Sequence, residues 1–178
     1  VGHLAFVNAH PRWIAPAFAD ALGAEAGELS ATLARDNARP DVHLAAWPTA
    51  MTAAELAEQV DGTVGRYSPY AVYLDGGDPG SLAPVRDGMA LVQDEGSQLV
   101  ARALTLAPLD GADGGRWLDL CAGPGGKTAM LAAIGQVSDV DGVRVTAVEP
   151  APRRADLVEE NTRGLPVDVM RVDGRDTG

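Results

Sequence analysis

The stretch WLDLCAGPGGKT, residues Trp117 to Thr128, decides the fold. Its apolar beginning predicts a short strand, and the run PGG predicts a tight turn. The residues that follow, up to Ile134, are mostly Ala, Leu, Met and Ile, which favour a helix, and Gly135 is predicted to cap it. A strand, a turn and a helix in this order point backbone N–H groups and the positive end of a helix dipole at the carboxyl end of the strand. The stretch therefore predicts a site for a nucleotide-like ligand.

Three kinds of glycine loop have this general form, and their spacing separates them. The phosphate-binding loop requires Gly, four residues and then Gly-Lys-Ser/Thr, and Cys121 stands where its first Gly belongs. The dinucleotide pattern G-x-G-x-x-G fits Gly123 and Gly125 but meets Thr128 in the place of its third Gly. The adenosylmethionine loop of class I methyltransferases has an acidic residue near the strand end, here Asp119, and then a turn of small residues. The spacing favours this third loop.

A resemblance to a known family extends from this loop over nearly the whole chain. LDLCAGPGGKT closely resembles the first motif of the Sun/Fmu group of RNA cytosine-5 methyltransferases, whose usual form is Ala-Ala-Pro-Gly-Gly-Lys, with Gly123 in place of the second Ala. Upstream, the segment Gly88–Ala101 and the sequence HPRW at His10 are similar to family segments, and downstream VTAVEP and VDGRD continue the match. The Arg-x-Asn strand usual in the family is missing, and HLAAW at His43 stands there instead.

The resemblance implies a fold and an activity. The implied fold is α/β: the N-terminal half of the doubly wound parallel sheet of a Rossmann-like class I methyltransferase, preceded by a small α+β RNA-recognition-like module. The implied activity is transfer of a methyl group from S-adenosyl-L-methionine to C5 of a cytosine in RNA, with ribosomal RNA as the expected partner. A second hypothesis remains open: a non-catalytic adenosylmethionine- or nucleotide-binding domain with a regulatory or structural role.

The expected cofactor site combines the turn with side chains at later strand ends. Glu149 follows the second strand, where an acidic side chain accepts hydrogen bonds from ribose hydroxyls, although an exposed surface Glu is the alternative. Asp173 follows the third strand, where the family uses an Asp toward the adenine amine; a turn-forming Asp is the alternative. Arg153 and Arg154 either approach the ligand or lie exposed at a helix N-terminus. The expected cofactor-binding residues are Cys121, Ala122, Gly123, Pro124, Gly125, Gly126, Lys127, Glu149, Arg154 and Asp173.

The chain is not expected to contain the catalytic nucleophile. Cytosine C5 becomes reactive when a thiolate adds to C6, so this chemistry needs a cysteine beside the base. In the family the two important cysteines lie on later strands in Pro-Cys and Thr-Cys motifs, and neither motif occurs before Gly178. Cys121 is predicted to be a small packing residue. We therefore expect a fragment that is inactive alone, with its nucleophile beyond residue 178.

Composition limits the remaining classes. The hydrophobic content of 46% is typical of a globular protein, and the formal charge of -11 counts against a broad RNA-binding surface. No apolar run has the length of a membrane span and no secretion signal is present, so a cytoplasmic location is expected. One Cys and three scattered His residues offer no metal-ligand spacing, and no metal is expected. The oligomeric state does not follow from the sequence.

Two domains are expected, residues 1–87 and 88–178, because the Gly- and Pro-rich run Asp75–Asp87 is typical of a linker. In the first, tyrosines 67, 70 and 73 are candidates for stacking on bases, but core packing is favoured. The first predicted helix is lined by Phe6, Trp13, Ile14, Phe18 and Leu22 and ends at Gly23, and Pro16 either kinks it or marks its true start. The other predicted helices are Ala24–Arg35, Thr52–Val60 with a Thr52/Glu55 capping box, Glu95–Ala107 capped by Asp94, and Pro152–Arg163. The predicted strands besides the central one are Val42–Trp47, Val64–Tyr67, Ala71–Leu74, Val143–Val148 and Val167–Val172.

Overall fold

The computed structural model of the chain describes residues 1–23 and 26–176. The chain forms two compact units, Val1–Pro40 and Asp41–Gly178. The domain boundary expected after residue 87 lies inside the second unit.

The first unit is helical. Helix α1 spans Gly2–Val7, α2 spans Ile14–Leu22, and a short 3-10 segment leads into α3, Leu29–Asp36. Its core consists of Ala5, Ala15, Leu29 and Leu33. The helix expected to end at Gly23 is interrupted after α1, where Ala9 adopts a positive φ of 54°, and its second part, α2, begins two residues before Pro16 and has Gly23 as its C-cap. The helix expected from Ala24 begins at Leu29, and residues 24 and 25 lie outside the described ranges.

The second unit begins with a four-stranded antiparallel sheet. Its strands are β1 (Val42–Ala46), β2 (Thr63–Val64), β3 (Ala71–Leu74) and β4 (Ala90–Val92), in the order β2-β3-β1-β4. Helix α4 (Ala53–Val60) joins β1 to β2 and the short α5 (Ala83–Arg86) joins β3 to β4, which is the split β-α-β-β-α-β arrangement. Since β4 follows residue 87 and pairs with β1, the small sheet extends past the expected boundary.

Local capping begins two helices of this unit where the sequence predicts, although the second ends at Thr105 and not at Ala107. The Thr52 hydroxyl accepts a hydrogen bond from the Glu55 N–H while the Glu55 carboxylate accepts one from the Thr52 N–H, so the capping box at the start of α4 is confirmed. Asp94 accepts hydrogen bonds from the N–H groups of Gly96 and Ser97 and caps α6, Glu95–Thr105.

A three-stranded parallel sheet follows and confirms the predicted Rossmann-like α/β class. Its strands β5 (Arg116–Asp119), β6 (Arg144–Val148) and β7 (Val167–Met170) lie in chain order and alternate with α7 (Gly126–Gln136) and α8 (Pro152–Asn161). Helix α7 is buried on nearly all sides, between β6 and α6. Strand β7 ends two residues before the expected Val172, and α8 ends at Asn161 with Thr162 as its C-cap instead of continuing to Arg163.

Gly135 does not cap α7, contrary to the prediction. The helix continues to Gln136, and Gly135 lies inside it against Val143 and Trp117. A Cβ at position 135 would lie 2.5 Å from Val143 Cγ1, so this glycine allows the helix to pack closely on the sheet.

Only one face of the parallel sheet is covered by helices α7 and α8. Trp117, Val145 and Val167 face that core. Apolar side chains on the opposite face are exposed: Leu118 by 53%, Leu120 by 51% and Met170 by 47%. Among the described residues, no strand pairs with the outer edge of β5. Parallel sheets are normally covered on both faces. Among the described residues, this sheet has one open face and two open edges, at β5 and at β7.

Candidate cofactor-binding site

Asp119 holds the turn that joins β5 to α7. One of its carboxylate oxygens accepts a hydrogen bond from the Cys121 N–H at 3.1 Å, and the other accepts one from the Thr128 hydroxyl at 2.7 Å. Thr128 is fully buried in α7. The acidic residue that identified the loop in the sequence thus ties its two ends together.

Gly125 brings the turn into contact with α8. It precedes α7 with a φ of +111°, and a Cβ at this position would lie 3.0 Å from Val158 Cα. The Asn161 side-chain amide donates a hydrogen bond to the Pro124 carbonyl at 2.8 Å. Both the conformation and the backbone contact therefore require glycine at position 125.

Glu149 is a buried, ionised carboxylate at the carboxyl end of β6. It is 6% exposed, and its two oxygens accept hydrogen bonds from the Ala151 N–H at 3.0 Å and from Arg154 Nε at 3.1 Å. The pKa of Glu149 lies below its ordinary value, first because of the Ala151 N–H and then because of Arg154, and these donors outweigh the effect of burial. Each carboxylate oxygen has two lone pairs, so acceptor capacity remains for a ligand.

Arg154 links Glu149 to the turn. From the first turn of α8 its guanidinium donates to Glu149 and also to the Gly123 carbonyl. A Cβ at position 123 would lie 2.3 Å from Glu149 Oε2 and 2.7 Å from Arg154 Nε. Two hydrogen bonds of Arg154 thus join Glu149 to Gly123. Arg153 and Arg154 are both exposed, and it is Arg154 whose guanidinium contacts Glu149 and the turn.

A cleft at the carboxyl edge of the sheet brings together four of the predicted residues, Cys121, Glu149, Arg154 and Asp173. Its volume is about 570 Å³, which lies in the range of small-molecule sites. Asp173 is held by Arg175, whose side chain and N–H donate to its carboxylate and lower its pKa. Four further residues line the cleft and were not predicted from the sequence: Leu120, Pro150, Gly174 and Arg175. Arg175 could have been predicted from the segment VDGRD, because it places a cation two positions after Asp173.

The other predicted residues lie around the cleft. Ala122 is buried against Ala147 and Val158, so its side chain supports the turn from the core. Lys127 is exposed and lines a second, mainly apolar groove of about 500 Å³ with Leu104, Leu118 and Leu131. Cys121 borders both spaces and is exposed. Its predicted packing role is wrong, because the residue is exposed.

Residues 1–23 and 26–176 contain no group of three or more His, Cys, Asp or Glu side chains placed to hold a metal ion. None of the helices formed by these residues has the length and apolar character needed to cross a membrane.

Comparison with known proteins connects this geometry to a family. The family described as 16S rRNA methyltransferase RsmB/F matches residues 103–178, which include the turn, Glu149, Arg154 and Asp173. Over these residues the chain is similar to the RsmB/F family. A putative methyltransferase of Mycobacterium tuberculosis is 73% identical over 177 residues, and ribosomal RNA small subunit methyltransferase B of Pseudomonas syringae is 32% identical over 180 residues. These alignments include 99% and 96% of this chain but 38% and 37% of the relatives' own lengths.

Solved structures share the fold of the RsmB/F segment and of the residues before it. A methyltransferase homologue from Pyrococcus horikoshii aligns with a TM-score of 0.73 at 14% identity, over 96% of this chain and 55% of its own. NSun6 from the same organism, solved with SFG, aligns with a TM-score of 0.70 at 12% identity, over 92% of this chain and 65% of its own. The arrangement of both sheets is thus a methyltransferase fold.

Proposed function

We propose that the chain is the cofactor-binding part of an S-adenosyl-L-methionine-dependent methyltransferase that modifies C5 of a cytosine in ribosomal RNA. The observation that carries the proposal is the buried Glu149 at the end of β6, which lines one cleft with Asp173 and with Cys121 at the start of the turn. The RsmB/F match over residues 103–178 and the relatives named as ribosomal RNA methyltransferases support the substrate class.

The residues present fit this cofactor. Glu149 would accept hydrogen bonds from the ribose hydroxyls, and Asp173 would accept one from the adenine amine. The turn Gly123–Lys127 would place the positive end of α7 near the amino-acid part of the ligand. When bound, the cofactor supplies an electrophilic methyl group, and the chain's own contribution is to bind and orient it.

We propose that the nucleophile comes from another part of the protein. Cys121 is the chain's one cysteine, and its N–H is bound by Asp119 within the cofactor turn. The chain spans 38% of the length of its 73%-identical relative, which leaves room for a catalytic cysteine elsewhere in a longer polypeptide. The separate chain is accordingly proposed to bind cofactor without methylating RNA.

Calorimetry with four ligands tests the cofactor. S-adenosylmethionine and S-adenosylhomocysteine are expected to bind more tightly than ATP or NAD, because the loop departs from the spacing of both nucleotide loops. Glu149→Ala is expected to lower the affinity about ten- to a hundredfold, since hydrogen bonds to a charged group are worth about 1.5–3 kcal/mol, and Glu149→Asp is expected to lose less. Glu160→Ala, at an exposed carboxylate on α8, is the matched control. Tighter binding of ATP, or full affinity in Glu149→Ala, contradicts the assignment.

The alternative is a non-catalytic adenosylmethionine-binding domain. A tritiated-methyl transfer assay on unmodified ribosomal RNA distinguishes the two, with the chain, its Cys121→Ala variant and the full-length protein. Transfer by the full-length protein alone supports the proposal. Transfer by the chain that disappears in Cys121→Ala would assign the catalytic thiol to Cys121, and absence of transfer in every sample favours the alternative.

A further inference from the structure

The small sheet does not offer its central aromatic residues to a ligand. In four-stranded RNA-recognition sheets, bases stack on aromatic residues of the open face. Here the rings of His43 on β1 and Tyr73 on β3 lie 4.5 Å apart and are only partly exposed. The Tyr73 hydroxyl donates to Glu95, a buried residue at the start of α6. Helix α6 therefore occupies the face on which bases stack in that fold.

The same Glu95 fixes the loop between β2 and β3. One carboxylate oxygen accepts hydrogen bonds from the N–H groups of Tyr67 at 2.7 Å and Ser68 at 2.9 Å. The Ser68 hydroxyl donates to the fully buried Gln98 at 2.8 Å. Burial raises the pKa of Glu95, but the hydrogen bonds donated by Tyr73, Ser68 and Tyr67 lower it by more. The pKa of Glu95 is therefore below its ordinary value. The loop backbone is thus held by a buried, ionised carboxylate.

This fixed loop presents one aromatic ring and one cation to solvent. Tyr67 is 63% exposed, and the Arg66 guanidinium carbon lies 5.3 Å from the centre of its ring. Tyr70 packs against the core and Tyr73 is bound to Glu95. Of the chain's three tyrosines, Tyr67 alone presents its ring to a partner.

We propose that the Arg66–Tyr67 loop is a contact site for single-stranded RNA, in which a base stacks on Tyr67 and the Arg66 guanidinium binds a phosphate. The proposal rests on the proposed function for its choice of RNA as partner. Stacking on an aromatic ring accepts any base, and a guanidinium pairs well with phosphate oxygens. Because the backbone is already fixed, binding orders few additional groups. One ring and one cation lack the apolar centre that a protein interface needs.

Fluorescence anisotropy with a labelled, unstructured RNA oligonucleotide tests the site in the full-length protein. Tyr67→Ala is expected to bind about 5- to 150-fold more weakly, whereas Tyr67→Phe, which keeps the ring, should remain within about twofold. Arg66→Gln is expected to reduce the slope of log affinity against log salt by about 0.7, the value for one phosphate contact on a single strand. Phe6→Ala and Arg116→Gln, at an exposed ring and an exposed cation elsewhere, are the matched controls.

The result is read together with the affinity for S-adenosylmethionine in the same variants. Weaker RNA binding in Tyr67→Ala with unchanged cofactor affinity and unchanged thermal midpoint supports the site. The proposal is overturned if Tyr67→Ala binds RNA like the parent, if the controls lose as much affinity, or if the parent does not bind RNA. Cofactor binding that persists in those cases shows that the RNA site failed and the cofactor assignment did not.

Discussion

At the scale of single residues, the two glycines of the turn have different physical roles. A Cβ at position 123 would meet the ends of two flexible side chains, Glu149 and Arg154, whereas at position 125 it would meet the backbone of α8 and require a positive φ. Flexible side chains move at little cost, but backbone does not.

Gly123→Ala is therefore expected to leave the free energy of unfolding nearly unchanged and to keep S-adenosylmethionine binding, because the ends of Glu149 and Arg154 can shift and the resembled family usually has Ala at this position. Gly125→Ala should destabilise the protein by about 1–3 kcal/mol, the cost of a strained left-handed conformation. Urea unfolding and calorimetry on both variants measure the two effects. Equal losses of stability would show that the two positions are not distinct.

His10 gives the first unit a dependence on pH. Its Nε2 lies 2.8 Å from Asp36 and its Nδ1 lies 2.6 Å from the Asn8 carbonyl, so both ring nitrogens face acceptors. The pKa of His10 is raised above 6.5, mainly by the hydrogen bond to Asp36. A raised pKa in the folded state means that this pair stabilises the fold fully below about pH 6.5, and that the contribution is lost as the pH rises through the raised value.

An NMR titration of the His10 ring is expected to give a pKa above 6.5, and Asp36→Asn should lower it. Asp20→Asn, at a carboxylate of α2 outside this pair, serves as the control. A pKa that does not respond to Asp36→Asn would exclude the pair as the cause.

At the scale of elements, buried Glu95 joins the start of α6 to the loop between β2 and β3. Glu95→Ala leaves the N–H groups of Tyr67 and Ser68 without an acceptor, which is expected to cost at least about 1–3 kcal/mol. Thr52→Ala, which removes the exposed capping box of α4, should cost about 1 kcal/mol. Urea unfolding compares the two variants. A smaller loss for Glu95→Ala than for Thr52→Ala would mean that water replaces the carboxylate in the loop.

Elements set by short-range patterns could be predicted from the sequence, and those set by distant contacts could not. The Thr52–Glu55 box and the Asp94 cap each lie within four residues of chain, and both are confirmed. Gly135 is predicted from the sequence to end a helix. The contacts with Val143 and Trp117 that keep it inside the helix exist only in the folded state, so the sequence does not show them.

The site shows the same division. Strand alternation predicted that Glu149 and Asp173 follow neighbouring strands, and parallel pairing brings them to one cleft. The hydrogen bond of Arg154 to the Gly123 carbonyl spans 31 residues, so nothing in the local sequence separates Arg154 from Arg153.

At the scale of the whole molecule, the open face of the parallel sheet is expected to cause self-association of the separate chain. Leu118 and Leu120 are about half exposed beside the unpaired edge of β5, and such edges pair readily with other chains. Sedimentation at increasing concentration should show oligomers, and Leu118→Glu should shift the chain toward the monomer. Leu157→Glu, at an exposed apolar residue of α8, is the control. A parent chain that stays monomeric throughout contradicts this expectation.

The chain contains one cysteine and one lysine, Cys121 and Lys127, and both are exposed on either side of the glycine turn. A maleimide dye therefore has a single thiol to label, and an amine-reactive dye has a single side chain besides the amino group of Val1. Two orthogonal chemistries thus reach the same turn in the natural sequence. Fluorophores at these two points would report ligand entry into the apolar groove that both residues line, and the thiol label has no background site to remove by mutation.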